Sequence, residues 1–164
     1  MARRTRQLRW WEILLEQLAS TRAGTWYYVH LATHLDRWLM PVSQGRWRTT
    51  LRWPAVLLTT VGAKSGQPRP IPLLYVTDGE NIVLIASNGG SPRHPAWYYN
   101  LRAHPEVQLL VNGRTATYTA HEATGAERAR LWRKAVDLYA GYETYQQRTR
   151  GRQIPVMVLT PKAQ

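Results

Sequence analysis

The sequence contains no cysteine, no phenylalanine and only 10 acidic residues among 164. Without cysteine there is no disulfide, no thiolate metal site and no cysteine nucleophile, and the redox compartment stays open. The carboxylates are scattered, and none pairs with another in a stretch that reads as a cleft, so hydrolysis by two carboxylates has no support. Also missing are G-x-x-x-x-G-K-[ST], G-x-G-x-x-G after a strand, H-E-x-x-H and G-x-S-x-G, which sets aside the chemistries those motifs serve. Long apolar runs are absent too. The start, MARRTRQLRWWEILLEQL, is interrupted by Glu12, Glu16 and Gln17, unlike the apolar core of a signal peptide or a spanning helix, so the cytoplasm is the expected location. His30 and His34 stand one helical turn apart near Asp36; with no third ligand at suitable spacing they read as surface or core histidines, and no metal is expected.

What is abundant is positive charge: 22 Lys plus Arg give a formal charge of +12. Such a balance suits a polyanionic partner, whether nucleic acid, an anionic membrane surface, or a small ligand carrying phosphate and carboxylates. The basic residues are dispersed, with enrichment at Arg3, Arg4, Arg6 and Arg9 and at Arg148, Arg150 and Arg152. No run resembles a nucleic-acid tail and no groove-reading motif is present, so nucleic acid is not an expected partner. Eight Trp and nine Tyr take the place of phenylalanine; they suit stacking on planar ligands, and equally a core built from other aromatics.

The length fits one domain with a proper core. Residues 1–50 read as a helical extension. Leu8, Trp11, Leu14, Leu15 and Leu18 recur at helical spacing in a first helix, and a second runs from about Thr25 to Met40, stopped by Pro41. Packing on the domain that follows is the plainer reading of this extension, and peripheral contact with a membrane is the alternative. Residues 51–164 then alternate short β patterns with two helices. Val56 to Val61 and Ile71 to Val76 are strands, and Thr77 to Asn81 turns into a third, Ile82 to Ser87. A short helix spans Ala96 to Ala103. Strands over Glu106 to Val111 and Arg114 to Glu122 flank Asn112-Gly113, a hairpin signal. Thr124 and Glu127 form a capping-box pattern opening a helix that Gly141 closes, and Ile154 to Leu159 is the sixth strand. The expected fold is mainly β (α+β): a split antiparallel β-barrel of about six strands, with N-terminal helices and two further helices packed on it.

Two loops carry the chemical interest. Gly62-Ala63-Lys64-Ser65-Gly66-Gln67-Pro68-Arg69 joins the first two strands. Its glycines permit conformations that expose consecutive N–H groups, Ser65 adds a hydroxyl, and Lys64 and Arg69 add charge, so it can cradle phosphate or carboxylates. The same composition also makes an ordinary hairpin turn with solvated charges. The second loop, Asn88-Gly89-Gly90-Ser91-Pro92-Arg93-His94-Pro95, delivers the chain to a helix N-terminus, where an anion gains from the dipole. Tyr139, Tyr142 and Tyr145 recur at spacing three, with Tyr75 on a strand. Hydride transfer needs little more than this: a protein that binds and orients a flavin-like cofactor, excludes water and places a hydroxyl.

Four segments, taken in order, resemble the deazaflavin-dependent nitroreductase family: Leu58 to Arg69, Ala86-Ser87-Asn88-Gly89-Gly90, His94-Pro95-Ala96-Trp97-Tyr98-Tyr99-Asn100-Leu101, and Tyr139-Ala140-Gly141-Tyr142-Glu143-Thr144-Tyr145-Gln146. The match runs from about Val56 to Pro161. The resemblance implies a split β-barrel and coenzyme F420, whose tail bears a phosphodiester and several glutamates. It implies that Lys64, Ser65, Gln67 and Arg69 hold the tail, with Pro72 counted in the same site. Ser87, Asn88 and Gly89 would lie along the deazaflavin, and Pro95, Trp97 and Asn100 would stand at the helix closing the pocket. Tyr75, Tyr139, Tyr142 and Tyr145 would face the substrate. Ala63 and Asn88 stand where the family often has basic residues, which makes flavin mononucleotide (FMN) the alternative ligand. The implied activity is an oxidoreductase passing hydride from reduced F420 to an electron-poor small molecule, a quinone or nitroaromatic. The rival is a non-catalytic split-barrel carrier for a flavin-like or apolar ligand.

Overall fold

The structure is a computed structural model and describes residues 54–162. The helices read over residues 1–50, and with them His30, His34 and the membrane-contact reading, lie outside the described residues. The described residues form six strands: β1 (Ala55–Val61), β2 (Pro68–Asp78), β3 (Asn81–Ile85), β4 (Glu106–Val111), β5 (Arg114–Glu122) and β6 (Val156–Pro161). They close into an antiparallel barrel in the order β1-β2-β3-β6-β5-β4, with β4 pairing back onto β1. Among the described residues three helices decorate it: α1 (Ala96–Ala103), α2 (Gly125–Leu138) and α3 (Gly141–Arg148). A single 3-10 turn, Asn88–Gly90, follows β3. No helix among the described residues is long and apolar enough to cross a membrane.

Alternation along the strands feeds two cores. Val56, Leu58, Ile82, Leu84, Leu109 and Leu159 point into the barrel, where Trp97, Tyr98 and Leu101 of α1 join them. Val83, Ile85, Val156 and Val158, of opposite parity on β3 and β6, face outward and are buried under Leu131 and Ala135 of α2 and Tyr142 and Tyr145 of α3. Strands buried on both faces need near-continuous apolar sequence, which Ile82 to Ile85 and Val156 to Leu159 supply.

Turn chemistry sets the registers. Asn112 and Gly113 both adopt positive φ between Val111 and its partner Arg114, the geometry a two-residue hairpin demands. β2 begins earlier than the apolar pattern alone suggests, and Pro68, Pro70 and Pro72 occupy alternate positions opposite Val61, Thr59 and Leu57. Prolines of one parity put all their missing donors on one edge of the strand, away from β1. On that edge β3 pairs only from Tyr75 onward, so no ladder bond is forfeited.

The helical half departs from the sequence reading in two ways. Gly141 does not close a helix. α2 ends at Leu138, Tyr139 is extended, and Gly141 opens a third helix. A Cβ at Gly141 would collide with the Tyr139 ring, so glycine here permits close packing rather than a helix stop. The capping box does not form either: Thr124 is the N-cap residue of α2 without a side-chain bond to it, and the Glu127 carboxylate lies 3.4 Å from His121 Nε2 instead.

Candidate active site

The loop between β1 and β2 closes on itself. Gly62 N–H donates to the Gln67 carbonyl at 2.9 Å and Gly66 N–H to the Gly62 carbonyl at 2.8 Å. Gln67 N–H donates to Ser65 Oγ at 3.3 Å, and Arg69 Nη2 reaches the same oxygen at 3.4 Å. Gly62 allows this closure, since a Cβ there would stand 2.5 Å from Ser65 Oγ. Residues 63–69 are all exposed, so the Lys64 and Arg69 charges stand in solvent on a shaped backbone. Among the described residues, the N–H groups of Lys64 and Ser65 have no backbone acceptor. Two such donors beside the Lys64 and Arg69 charges can cradle an oxyanion.

Asn100 of α1 fixes this loop to the body of the protein. Its Oδ1 accepts from Ala63 N–H at 3.0 Å, and its Nδ2 donates to Thr60 Oγ1 at 2.9 Å. The amide is buried and both of its ends are engaged, so its role is to aim the loop.

The second loop is held from far away in sequence. The Arg152 guanidinium donates from Nε to the Ser91 carbonyl (3.1 Å), from Nη1 to that of Ala86 (3.3 Å), and from Nη2 to those of Ser87 and Ser91 (2.8 Å each). Nη1 also meets His94 Nδ1 at 3.0 Å. A guanidinium only donates, so Nδ1 must accept, which places the neutral ring's proton on Nε2. Burial first, and then the Arg152 charge, lowers the His94 pKa and keeps the ring in that acceptor form. Within the loop Asn88 and Gly89 both take positive φ, and Asn88 Nδ2 donates to the Arg93 carbonyl at 3.0 Å. Gly90 packs so closely on α3 that a Cβ would lie 2.8 Å from the Tyr145 carbonyl oxygen.

The tyrosines divide. Tyr139, Tyr142 and Tyr145 form one buried cluster: Tyr139 and Tyr142 meet edge to face at 5.3 Å between centroids, and the hydroxyls of Tyr139 and Tyr145 are 3.0 Å apart. Trp132 of α2 flanks Tyr142 at 6.4 Å. Tyr75 is elsewhere, in the barrel core opposite Leu84. Trp97 also lies in that core, and Pro72 is buried opposite Leu57, whereas Pro95 precedes α1 at its N-cap position.

The family model described as F420H(2)-dependent quinone reductase matches residues 34–161. The chain belongs to this family. An F420H(2)-dependent quinone reductase of Mycobacterium tuberculosis strain H37Rv is 44% identical over 110 residues, covering 65% of this chain and 73% of that protein. A solved F420-H2 dependent reductase is 42% identical, with a TM-score of 0.60 over 65% of this chain and 93% of its own. A structure described as a domain-swapped dimer is 36% identical, with a TM-score of 0.61 over 90% of this chain and 92% of its own.

An F420H(2)-dependent oxidoreductase of quinone reductase type must grip an anionic tail and a flat ring, and the residues present fit both. The exposed basic loop offers donors and charge for the tail. Around Ser87 to Gly89 a half-buried turn offers backbone of positive φ, where the chain can lie flat against a ring. Helix α1 joins the two parts, holding the first loop through Asn100 and continuing the second from Pro95. Tyr145 abuts the second loop at Gly90 and shares a buried cluster with Tyr139 and Tyr142, whereas Tyr75 lies outside that cluster. Arg152 and His94 were not among the site residues read from the sequence. The only signal for Arg152 was its place in a basic stretch near the C-terminus, and nothing local distinguishes it from Arg148 or Arg150.

Proposed function

We propose that the protein binds F420 with its tail on Lys64, Ser65, Gln67 and Arg69 and its ring along Ser87, Asn88 and Gly89, and reduces quinones and electron-poor nitroaromatics. Bound in reduced form, F420 would supply the hydride that such an acceptor takes up. The observation that carries this reading is the junction at α1, where Asn100 grips the first loop and the second loop runs into the helix N-terminus. A rigid helix spacing the anion cradle from the ring platform is what a long, two-part cofactor needs. Lys64 and Arg69 neutralise tail charge. The cluster of Tyr139, Tyr142 and Tyr145 forms the aromatic wall behind the second loop, and a hydroxyl of that cluster turned toward the acceptor would polarise its oxygen as charge builds on it. Tyr75 contributes packing to the barrel.

The test combines binding and turnover. Oxidised F420 and FMN are titrated in parallel by fluorescence, and reduced F420 is then mixed with a quinone or a nitroaromatic in single-turnover experiments. Saturable F420 binding at lower concentration than FMN, reduction of both acceptors, and a slower rate when deuterium occupies the transferred position are expected. Tighter binding of FMN would overturn the ligand assignment. Equal rates with hydrogen and deuterium, with the nitroaromatic untouched, would overturn the finer account of the reaction.

A further inference from the structure

Arg152 spends every donor it has. Its five N–H bonds are matched by five contacts, four to the carbonyls of Ala86, Ser87 and Ser91 and one to His94 Nδ1. A guanidinium so engaged has nothing left to offer a ligand phosphate or carboxylate. Its carbonyl, in turn, accepts from Gln146 Nε2 at 2.8 Å and from Thr149 Oγ1 at 2.7 Å, and Gln146 Oε1 accepts from Ile154 N–H at 2.9 Å. The backbone of Arg152 is therefore pinned to the end of α3, while its side chain reaches the loop after β3.

We propose that Arg152 is a positioning residue for the cofactor: it fixes the Ala86 to His94 loop in the shape that receives the flat ring and ties that loop to the helix carrying Tyr142 and Tyr145. A segment containing Gly89 and Gly90 has much conformational freedom to lose, and local sequence gives it few bonds of its own. Beyond the bonds of Ala86 N–H to Pro155 and Ser87 N–H to Ile85 at its start, the Asn88 to Arg93 and Arg93 to Ser91 contacts and two 3-10 type bonds, it is Arg152 that gathers the carbonyls of Ala86, Ser87 and Ser91. Lysine cannot replace this fork, because one ammonium has three donors and no plane to bridge three separated carbonyls and a ring nitrogen.

The proposal rests on the reading that Ser87 to Gly89 contacts the ring, and the experiment separates the two. Affinity for oxidised F420 is measured by fluorescence for wild type, Arg152→Lys, Arg152→Gln and Gly89→Ala, alongside KM values for reduced F420 and for a quinone. Backbone hydrogen exchange over residues 86–94 is followed without ligand. With Arg152 as the positioning residue, both Arg152 variants lose about tenfold or more in F420 affinity, KM for reduced F420 rises, KM for the quinone stays within about twofold, and the loop exchanges faster. Folded Arg152 variants with F420 affinity within twofold of wild type, while Gly89→Ala binds weakly, would overturn the role of Arg152 alone. Unchanged affinity in Gly89→Ala as well would overturn the ring platform itself. If the Arg152 variants fail to fold, His94→Ala removes a single acceptor: a smaller loss of F420 affinity with faster loop exchange supports the proposal, and neither change overturns it.

Discussion

Two glycine-containing loops, both held to helix α1, are shaped by opposite means. The Gly62 to Arg69 loop is closed by bonds among its own residues, at most five positions apart, and is tied to the rest by Asn100 and, at its end, by the pairing of Arg69 with Thr60. By contrast, the Ala86 to His94 loop is drawn together by Arg152, whose partners lie 58 to 66 positions away. The first stands in solvent with its charges outward; the second is half-buried between β3, α1 and α3. A loop that meets a polyanionic tail gains from being exposed and basic, because the ligand brings its own charge and water can fill misfits. A loop that meets a planar ring has no such tolerance, and rigidity must come from the surrounding structure.

This contrast makes glycine substitution the sharpest test. Gly66 and Gly90 both have positive φ, but a Cβ at Gly66 meets nothing within 4 Å, whereas at Gly90 it meets the Tyr145 backbone and the Arg148 Cβ. Gly90→Ala is expected to lower unfolding stability by about 3 kcal/mol through left-handed strain plus overlap, and Gly66→Ala by about 1 kcal/mol through strain alone. Denaturant titration of the two variants reads the difference, and equal losses would mean that the second loop is as free as the first. Next in size is Asn100→Ala. It leaves the Ala63 N–H without its acceptor and the buried Thr60 hydroxyl without its donor, with an expected loss of about 2 kcal/mol in the same titration. Weaker F420 binding should accompany it, because the first loop loses its aim.

Lys64→Ala should separate charge from shape. The side chain is exposed and makes no bond within the loop, so Tm should stay put while F420 affinity falls about tenfold, the size of one charge-assisted contact. Equal affinity in wild type and variant would remove Lys64 from the site. The smallest effect concerns pH. The folded His94 pKa lies below its ordinary 6.5, so the unfolded chain takes up the proton first. That contribution to stability is present above pH 6.5 and is lost as pH falls through the lowered folded value, by less than about 1 kcal/mol because the ring is partly solvated. Asp78 does not compete in this window. Hydrogen bonds from Arg130 and Lys134 hold its carboxyl well below the usual range, so it stays charged. Thermal melts across that range should show a decline in wild type that is reduced in His94→Ala; an identical decline in both would assign it elsewhere.

The barrel was legible in the sequence because its signals are local. Alternation along Val56 to Val61, the Asn112-Gly113 turn and the run from Ile82 to Ile85 each specify a strand by its own residues. The first loop was legible for the same reason: Gly62, Ser65 and Gly66 build it among themselves. The helical half was harder to read. Gly141 looks like a helix stop, and only the Tyr139 ring lying against it shows that it opens α3 instead. Tyr75, Tyr139, Tyr142 and Tyr145 look alike as residues, and three-dimensional packing alone divides them into barrel core and α3 cluster.

By itself, then, the sequence determined the strands, the basic cradle and the family, because periodicity, turn chemistry and motif order act over a few neighbouring residues. The tertiary structure alone decided that Asn100 aims the cradle and that Arg152 gathers the second loop. Those bonds join groups 37 to 66 positions apart, and a hydrogen bond at that separation leaves no periodicity in the chain, since either partner could sit anywhere the fold returns to the same place.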